Sequence, residues 1–184
     1  LVLIKDCLKK LNLDDKQFTP RSVLATISAA KNVLMDAKAF ARQAEDFFQQ
    51  KVSEAYELYQ AKLKENNALD FDDLLFLAVR LLEEKDDVRE KYQERFQYVL
   101  VDEYQDTNHA QYALTKILAA QWRNICVVGD ADQSIYAWRG ADIRNIIDFT
   151  RDYPDAASIK LEQNYRSTKT ILNAFNYGTA AKLL

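Results

Sequence analysis

Glycine is scarce in this chain: Gly129, Gly140 and Gly178 are the three among 184 residues. With so few, and with Leu1 already reading as part of a helix, the sequence reads as a piece of a longer protein. Cysteine is equally thin. Cys7 and Cys126 stand far apart with no partner at metal-ligand spacing, which favours a reducing cytosolic setting over a disulfide framework. A single histidine, His109, argues against His-based zinc sites and most Ser-His-Asp arrangements. No apolar run approaches the length of a membrane span and no basic-then-apolar leader is present, so the expected location is cytoplasmic. Basic charge is not in excess either: 25 Lys and Arg against 28 Asp and Glu give a net −3. Without a global basic field, any contact with nucleic acid must be local.

What is present is enough to fold. At 48% hydrophobic composition the chain can bury a core of one domain or slightly more. Up to about Asn67 the pattern is helical, without a strand candidate. Thr19 and Pro20 supply an N-cap and a first-turn proline for one helix, and a long polar-rich helix is expected from about Ala37 to Glu65. In it Phe40, Ala44, Phe47, Phe48, Ala55, Tyr56, Tyr59 and Leu63 recur at spacings of three, four and seven, the mark of a buried stripe. "LDFDDLLFLAVRLLEE" comes next, with Asp70 as N-cap and Asp72 and Asp73 in the first turn, where the helix dipole favours acids. Thereafter short apolar runs alternate with amphipathic helices: strands over 96–102, 124–130 and 157–163, helices over 110–121, 142–153 and 169–184. That alternation predicts a parallel sheet of βαβ units.

Ligands of such sheets bind outside the carboxyl ends of the strands. All three expected strands end in chemically useful groups. "VDEYQDTNHAQ" puts Asp102, Glu103 and Asp106 after the first, "GDADQSIYAWRGAD" puts Asp130 and Gln133 after the second, and "EQNYRS" puts Tyr165 and Arg166 after the third. An apolar strand followed by Asp-Glu can place one carboxylate on a magnesium ion and a second as general base toward an attacking water. Gln133 can hydrogen-bond a terminal phosphate or that water, and Tyr136, Trp138 and Arg139 offer stacking faces and a cation suited to single-stranded nucleic acid. Solvated acids at a strand end, a buried aromatic beside a turn and an arginine paired on the surface are the bland alternatives for each motif taken alone.

Taken in order and spacing, "VDEYQDTN", "GDADQSIYAWRGAD" and "LEQNYRST" closely resemble helicase motifs II, III and IV of the UvrD/PcrA/Rep family of superfamily 1, and "LDFDDL" is similar to that family too. The resemblance implies an α/β fold: a partial RecA-like parallel sheet with flanking helices, preceded by an all-helical insertion subdomain. The implied divisions are 1–68 for the insertion, 69–156 for the C-terminal part of a first motor domain and 157–184 for the start of a second. It further implies ATP and Mg²⁺ as cofactors, with Asp102 on the metal, Glu103 as general base, Gln133 sensing the γ-phosphate, Tyr165 packing on adenine and Arg166 as arginine finger. Tyr136 and Trp138 would stack on bases and Arg139 would link that segment to DNA. Single-stranded and duplex DNA would be the partners, with ATP hydrolysis driving 3′-to-5′ translocation and unwinding in repair or replication.

No G-x-x-x-x-G-K-[ST] occurs, so the phosphate cradle and its lysine are absent, and the chain by itself is expected neither to hydrolyse ATP nor to unwind DNA. Exposed strand edges would favour self-association. Three other readings stay open: a metal-dependent nuclease using Asp102, Glu103 and Asp106, a non-catalytic interaction module, and a relative of helicase–nuclease repair enzymes.

Overall fold

The computed structural model describes residues 1–14, 16–136 and 140–180, with side chains through residue 174. The chain forms two compact units, Leu1–Phe149 and Thr150–Leu184.

The first unit opens with helices packed around one core. Thr19 accepts a hydrogen bond from the Ser22 N–H and Pro20 occupies the first turn, so α2 (Pro20–Asn32) starts where the sequence predicts. The amphipathic α1 (Val2–Lys10) buries Ile4, Cys7 and Leu8 against Val23 and Ile27 of α2. The expected single helix from Ala37 to Glu65 is two, α3 (Ala37–Gln43) and α4 (Phe47–Glu65). Asp36 and Asp46 each accept a hydrogen bond from the N–H three residues on, at 2.7 Å, and two caps ten residues apart start two helices. Phe47 therefore sits at the first position of α4, 58% exposed, whereas Ala55, Tyr56, Tyr59 and Leu63 are buried as the periodicity predicts. Phe18 stacks on Phe48, with ring centroids 5.5 Å apart.

A buried ion triad joins this core to the next helix, α5 (Phe71–Glu84). Lys31, at the end of α2, is fully buried and its ammonium lies 2.6 Å from Asp70 and 2.8 Å from Asp73. Both acids belong to a capping box: Asp73 N–H donates to Asp70, and Asp70 N–H to Asp73, at the start of α5. The rings of Tyr56 and Tyr59 lie 5.8 and 5.4 Å from the ammonium, within cation–π range. Burial, with the acids adding to it, raises both tyrosine hydroxyls well above their ordinary range. The Asp70 carboxyl is pushed up by burial, but hydrogen bonds from Lys31 and the Asp73 backbone outweigh this and hold it below its ordinary value.

From α5 the chain passes through α6 (Asp86–Arg95) into a two-stranded parallel sheet, β1 (Val99–Val101) and β2 (Ile125–Val127), paired Val99 with Ile125 and Val101 with Val127. The crossover is α7 (His109–Ala119), started by an Asn108–Gln111 capping box and packed on α5 and α6. One face of the sheet is open, since Leu100 is 76% exposed and its partner Cys126 is exposed too. The strands are shorter than the expected runs over 96–102 and 124–130, because only three residues of each lie in ladder register with the other. The expected helix over 142–153 is two single turns, α8 (Arg144–Ile147) and α9 (Phe149–Asp152).

In the second unit the expected strand over 157–163 does not form. An alternating run becomes a strand only beside another strand, and among the described residues this one has no ladder partner. Ile159 and Leu161 are more than 80% exposed in consequence. The unit ends in α10 (Lys169–Ala180), and 181–184 of the expected helix lie outside the described residues. Among the described residues no helix is long and apolar enough to cross a membrane.

Removing Lys31 leaves two acids without their cation, a change that costs about 3–5 kcal/mol for buried pairs. Urea unfolding of Lys31→Met is expected to show that loss; a change below about 1 kcal/mol would show that the acids do not depend on it. Because the folded Asp70 value is depressed, its contribution is present above the unfolded value of 3.8 and disappears as pH falls through the lower, folded one. Stability of the native chain should thus decline below about pH 4, and less steeply in Lys31→Met.

Candidate active site

The chain leaves β1 through a tight reversal. Asp102 accepts a hydrogen bond from the Glu103 N–H at 2.9 Å, and Glu103 itself adopts the left-handed conformation, φ 50° and ψ 44°. A non-glycine residue pays roughly 1–2 kcal/mol there. A 3₁₀ turn over Tyr104–Asp106, in which Tyr104 and Gln105 are buried, holds the strained residue in place. Tyr104 meets Phe149 edge to face at 5.7 Å, and its N–H donates to the Val128 carbonyl beyond β2. Asp102 and Glu103 stay exposed at the mouth of this turn. Asp106 does not join them in a metal cluster, for among the described residues no three His, Cys, Asp or Glu converge. Its Oδ1 is buried without a hydrogen-bond partner among those residues.

β2 ends beside β1, and the register that pairs Val101 with Val127 brings the two exits together. Gly129 and Asp130 come after it, then the 3₁₀ turn Ala131–Gln133. Asp130 organises that turn, accepting from the Asp132 N–H at 3.0 Å and from the Gln133 side-chain amide at 2.8 Å. Between the exits lies Gln105, which donates to Glu103 at 2.8 Å and accepts from the Asp130 N–H at 3.0 Å. The acids of this motif stand out in the sequence by their charge, whereas the amide carries neither charge nor periodicity and sequence reasoning misses it. Gly129 explains the close approach: a Cβ there would lie 2.6 Å from Gln105 Oε1 and 2.8 Å from Ile146 Cδ1.

Tyr136 lines an open groove of about 920 Å³ whose other walls include Ser28 and Asn32 of α2, Phe71 and Asp72 of α5, and Asp106. Burial raises the Asp72 carboxyl, against the hydrogen bond it receives from Ser28. The groove's base is tied down by Asn108, whose side chain donates to Asn32, and by Asn145, which donates to the Thr107 carbonyl and hydroxyl. Trp138 and Arg139 lie outside the described residues. Tyr165 and Arg166 belong to the second unit, where Tyr165 is 91% exposed and Asn164 accepts from the N–H groups of Arg166 and Ser167. The structure thus gathers Asp102, Glu103 and Gln133 at adjacent strand ends of the first unit.

This donor set suits magnesium held on a nucleotide. Such an ion takes one or two protein carboxylates and completes its octahedron with phosphate oxygens and water, and Asp102 is an exposed carboxylate at a strand end.

A family model described as the UvrD/REP helicase N-terminal domain matches residues 1–154. The chain belongs to that helicase family. Among characterised relatives, it is 56% identical over 176 residues, 96% of its length, to the ATP-dependent DNA helicase PcrA of Bacillus subtilis strain 168. It is 55% identical over 174 residues, 95% of its length, to the PcrA helicases of Staphylococcus aureus strain Mu50 and Staphylococcus epidermidis. The chain spans about a quarter of the length of these relatives, 24% in each.

Gly129→Ala should force Gln105 or Ile146 to move, and overpacking of this kind costs roughly 1–3 kcal/mol. Denaturant unfolding of the variant is the check, and wild-type stability would mean that the approach is looser than the contacts imply.

Proposed function

We propose that this chain is the middle of an ATP-dependent DNA helicase that couples Mg-ATP hydrolysis to 3′-to-5′ translocation on single-stranded DNA and to duplex unwinding. The observation that carries the reading is the pairing of exits: the Asp102-Glu103 end of β1 and the Asp130–Gln133 turn after β2 sit side by side in parallel register. On this reading residues 1–68 are a helical insertion, 69–156 belong to a first motor domain and 157–184 begin a second. The open sheet face at Leu100 and Cys126 and the exposed Leu74, Leu77 and Leu81 of α5 support it, as surfaces that the rest of a motor domain would cover. The family and the absence of a three-acid cluster among the described residues weigh against the nuclease reading.

The residues divide the work by position. Magnesium, when bound with ATP, supplies charge neutralisation for phosphoryl transfer, and Asp102 would hold it. Glu103 accepts the proton of the attacking water, with Oε2 engaged by Gln105 and Oε1 without a protein partner among the described residues. Gln133 senses the γ-phosphate, Arg166 serves as arginine finger and Tyr165 packs on adenine. Tyr136 opens on the groove where a base can stack, and the motif that carries Trp138 and Arg139 assigns those two residues to DNA. The working compartment is the cytoplasm.

The test is ATPase activity with and without single-stranded DNA, for the full-length polypeptide carrying this chain and for the 184 residues alone. The full-length protein should turn over, Glu103→Gln should lower turnover by about 10²–10⁴-fold, and the chain alone should be inactive for want of a phosphate-binding lysine. Unaffected turnover in Glu103→Gln would sink the assignment of the base. Self-association of the isolated chain is the expectation where strand edges lack a partner, and a monomer mass independent of concentration in sedimentation would contradict it.

A further inference from the structure

We propose that Gln105 is the positioning residue that links the two strand ends, holding the Glu103 carboxylate in register with the Gln133 turn so that a shift in one is passed to the other. The inference rests on the helicase reading above and adds to it the route by which a change at the Gln133 turn reaches the proposed base.

Four observations carry it. Gln105 is 1% exposed, in a part of the chain where Asp102, Glu103, Asp130 and Gln133 are all exposed. A buried amide is tolerated only when hydrogen-bonded, and both bonds of this side chain go to the two strand ends: Nε2 to Glu103 Oε2 and Oε1 from the Asp130 N–H. The path continues, since Asp130 Oδ2 accepts from the Gln133 side chain, making three hydrogen bonds from Glu103 to Gln133. Finally, Gly129 leaves the room that the amide fills, with no space for a Cβ.

The chemistry of the amide also fixes its orientation. Turned over, it would set an oxygen against the carboxylate and an NH₂ against an N–H, so one orientation satisfies both neighbours. Glutamate can reproduce the acceptor toward Asp130 and not the donor toward Glu103. Methionine, of similar volume, reproduces neither. These two substitutions therefore separate the linking role from packing.

In the full-length protein, Gln105→Glu should lower DNA-stimulated kcat by roughly 10–100-fold, the range that outer partners of reacting groups carry. Dissociation constants for a fluorescent ATP analogue and for single-stranded DNA should move less than about 3-fold, a split between binding and turnover that a collapsed site would not give. Hydrogen exchange at the Asp130 amide should stay slow in Gln105→Glu and quicken in Gln105→Met, which reads the link without reference to turnover. Combined with Gln133→Ala, Gln105→Glu should lose little more than the weaker single variant, because both lie on one path; losses that multiply would place them on separate ones and overturn the proposal. Wild-type turnover in Gln105→Glu would overturn the role of Gln105 alone. A wild-type protein without DNA-stimulated turnover would overturn the helicase reading and this inference with it.

Discussion

A lysine buried between two aspartates holds the first unit together. Desolvating the Lys31 ammonium costs several kcal/mol unless partners return it, and here two carboxylates and two aromatic rings do so at once. The same carboxylates cap α5, so one cluster both closes the helical core and fixes where the next helix begins. α5 in turn packs on α7, the crossover between the strands, and the Asn108–Asn32 bond repeats the tie one residue along α2. The strand ends are therefore placed by a chain of contacts that begins in the core of the first helices.

At those strand ends charge and burial are kept apart. The acids with proposed chemistry remain exposed, where carboxylates are cheap to ionise and open to metal and water, while the group that fixes their geometry is an uncharged amide in the interior. Tyr104 anchors the turn against Phe149, and the two 3₁₀ turns bring polar side chains to the carboxyl edge of a sheet only two strands wide among the described residues.

Much of this is legible in the sequence. Thr19, Asp70 and the strand–helix alternation through β2 come from caps and periodicity, which are local signals. The break at Asp46 is hidden because the stripe from Phe40 to Leu63 continues across it, and a cap inside a periodic run is outvoted by the period. The strand expected at 157–163 is an over-reading, since an apolar alternation records a preference for pairing and does not supply the partner. Lys31 reads from sequence as an ordinary basic residue in a last helical turn, and its acids lie about forty positions on. Gln105 escapes for a related reason: its importance lies in what it touches across the sheet, and no local pattern reports that.

Glu103 shows what such a site asks of its own backbone. It occupies a conformation that glycine or asparagine adopts with less strain, two residues beyond the end of β1. Relaxing that residue would make the loop sturdier and take away the carboxylate, so with Glu103 as the proposed base, selection for thermal robustness and selection for turnover pull this position in opposite directions. A lineage bred only for heat tolerance would be drawn toward a sturdier loop that has given up this carboxylate.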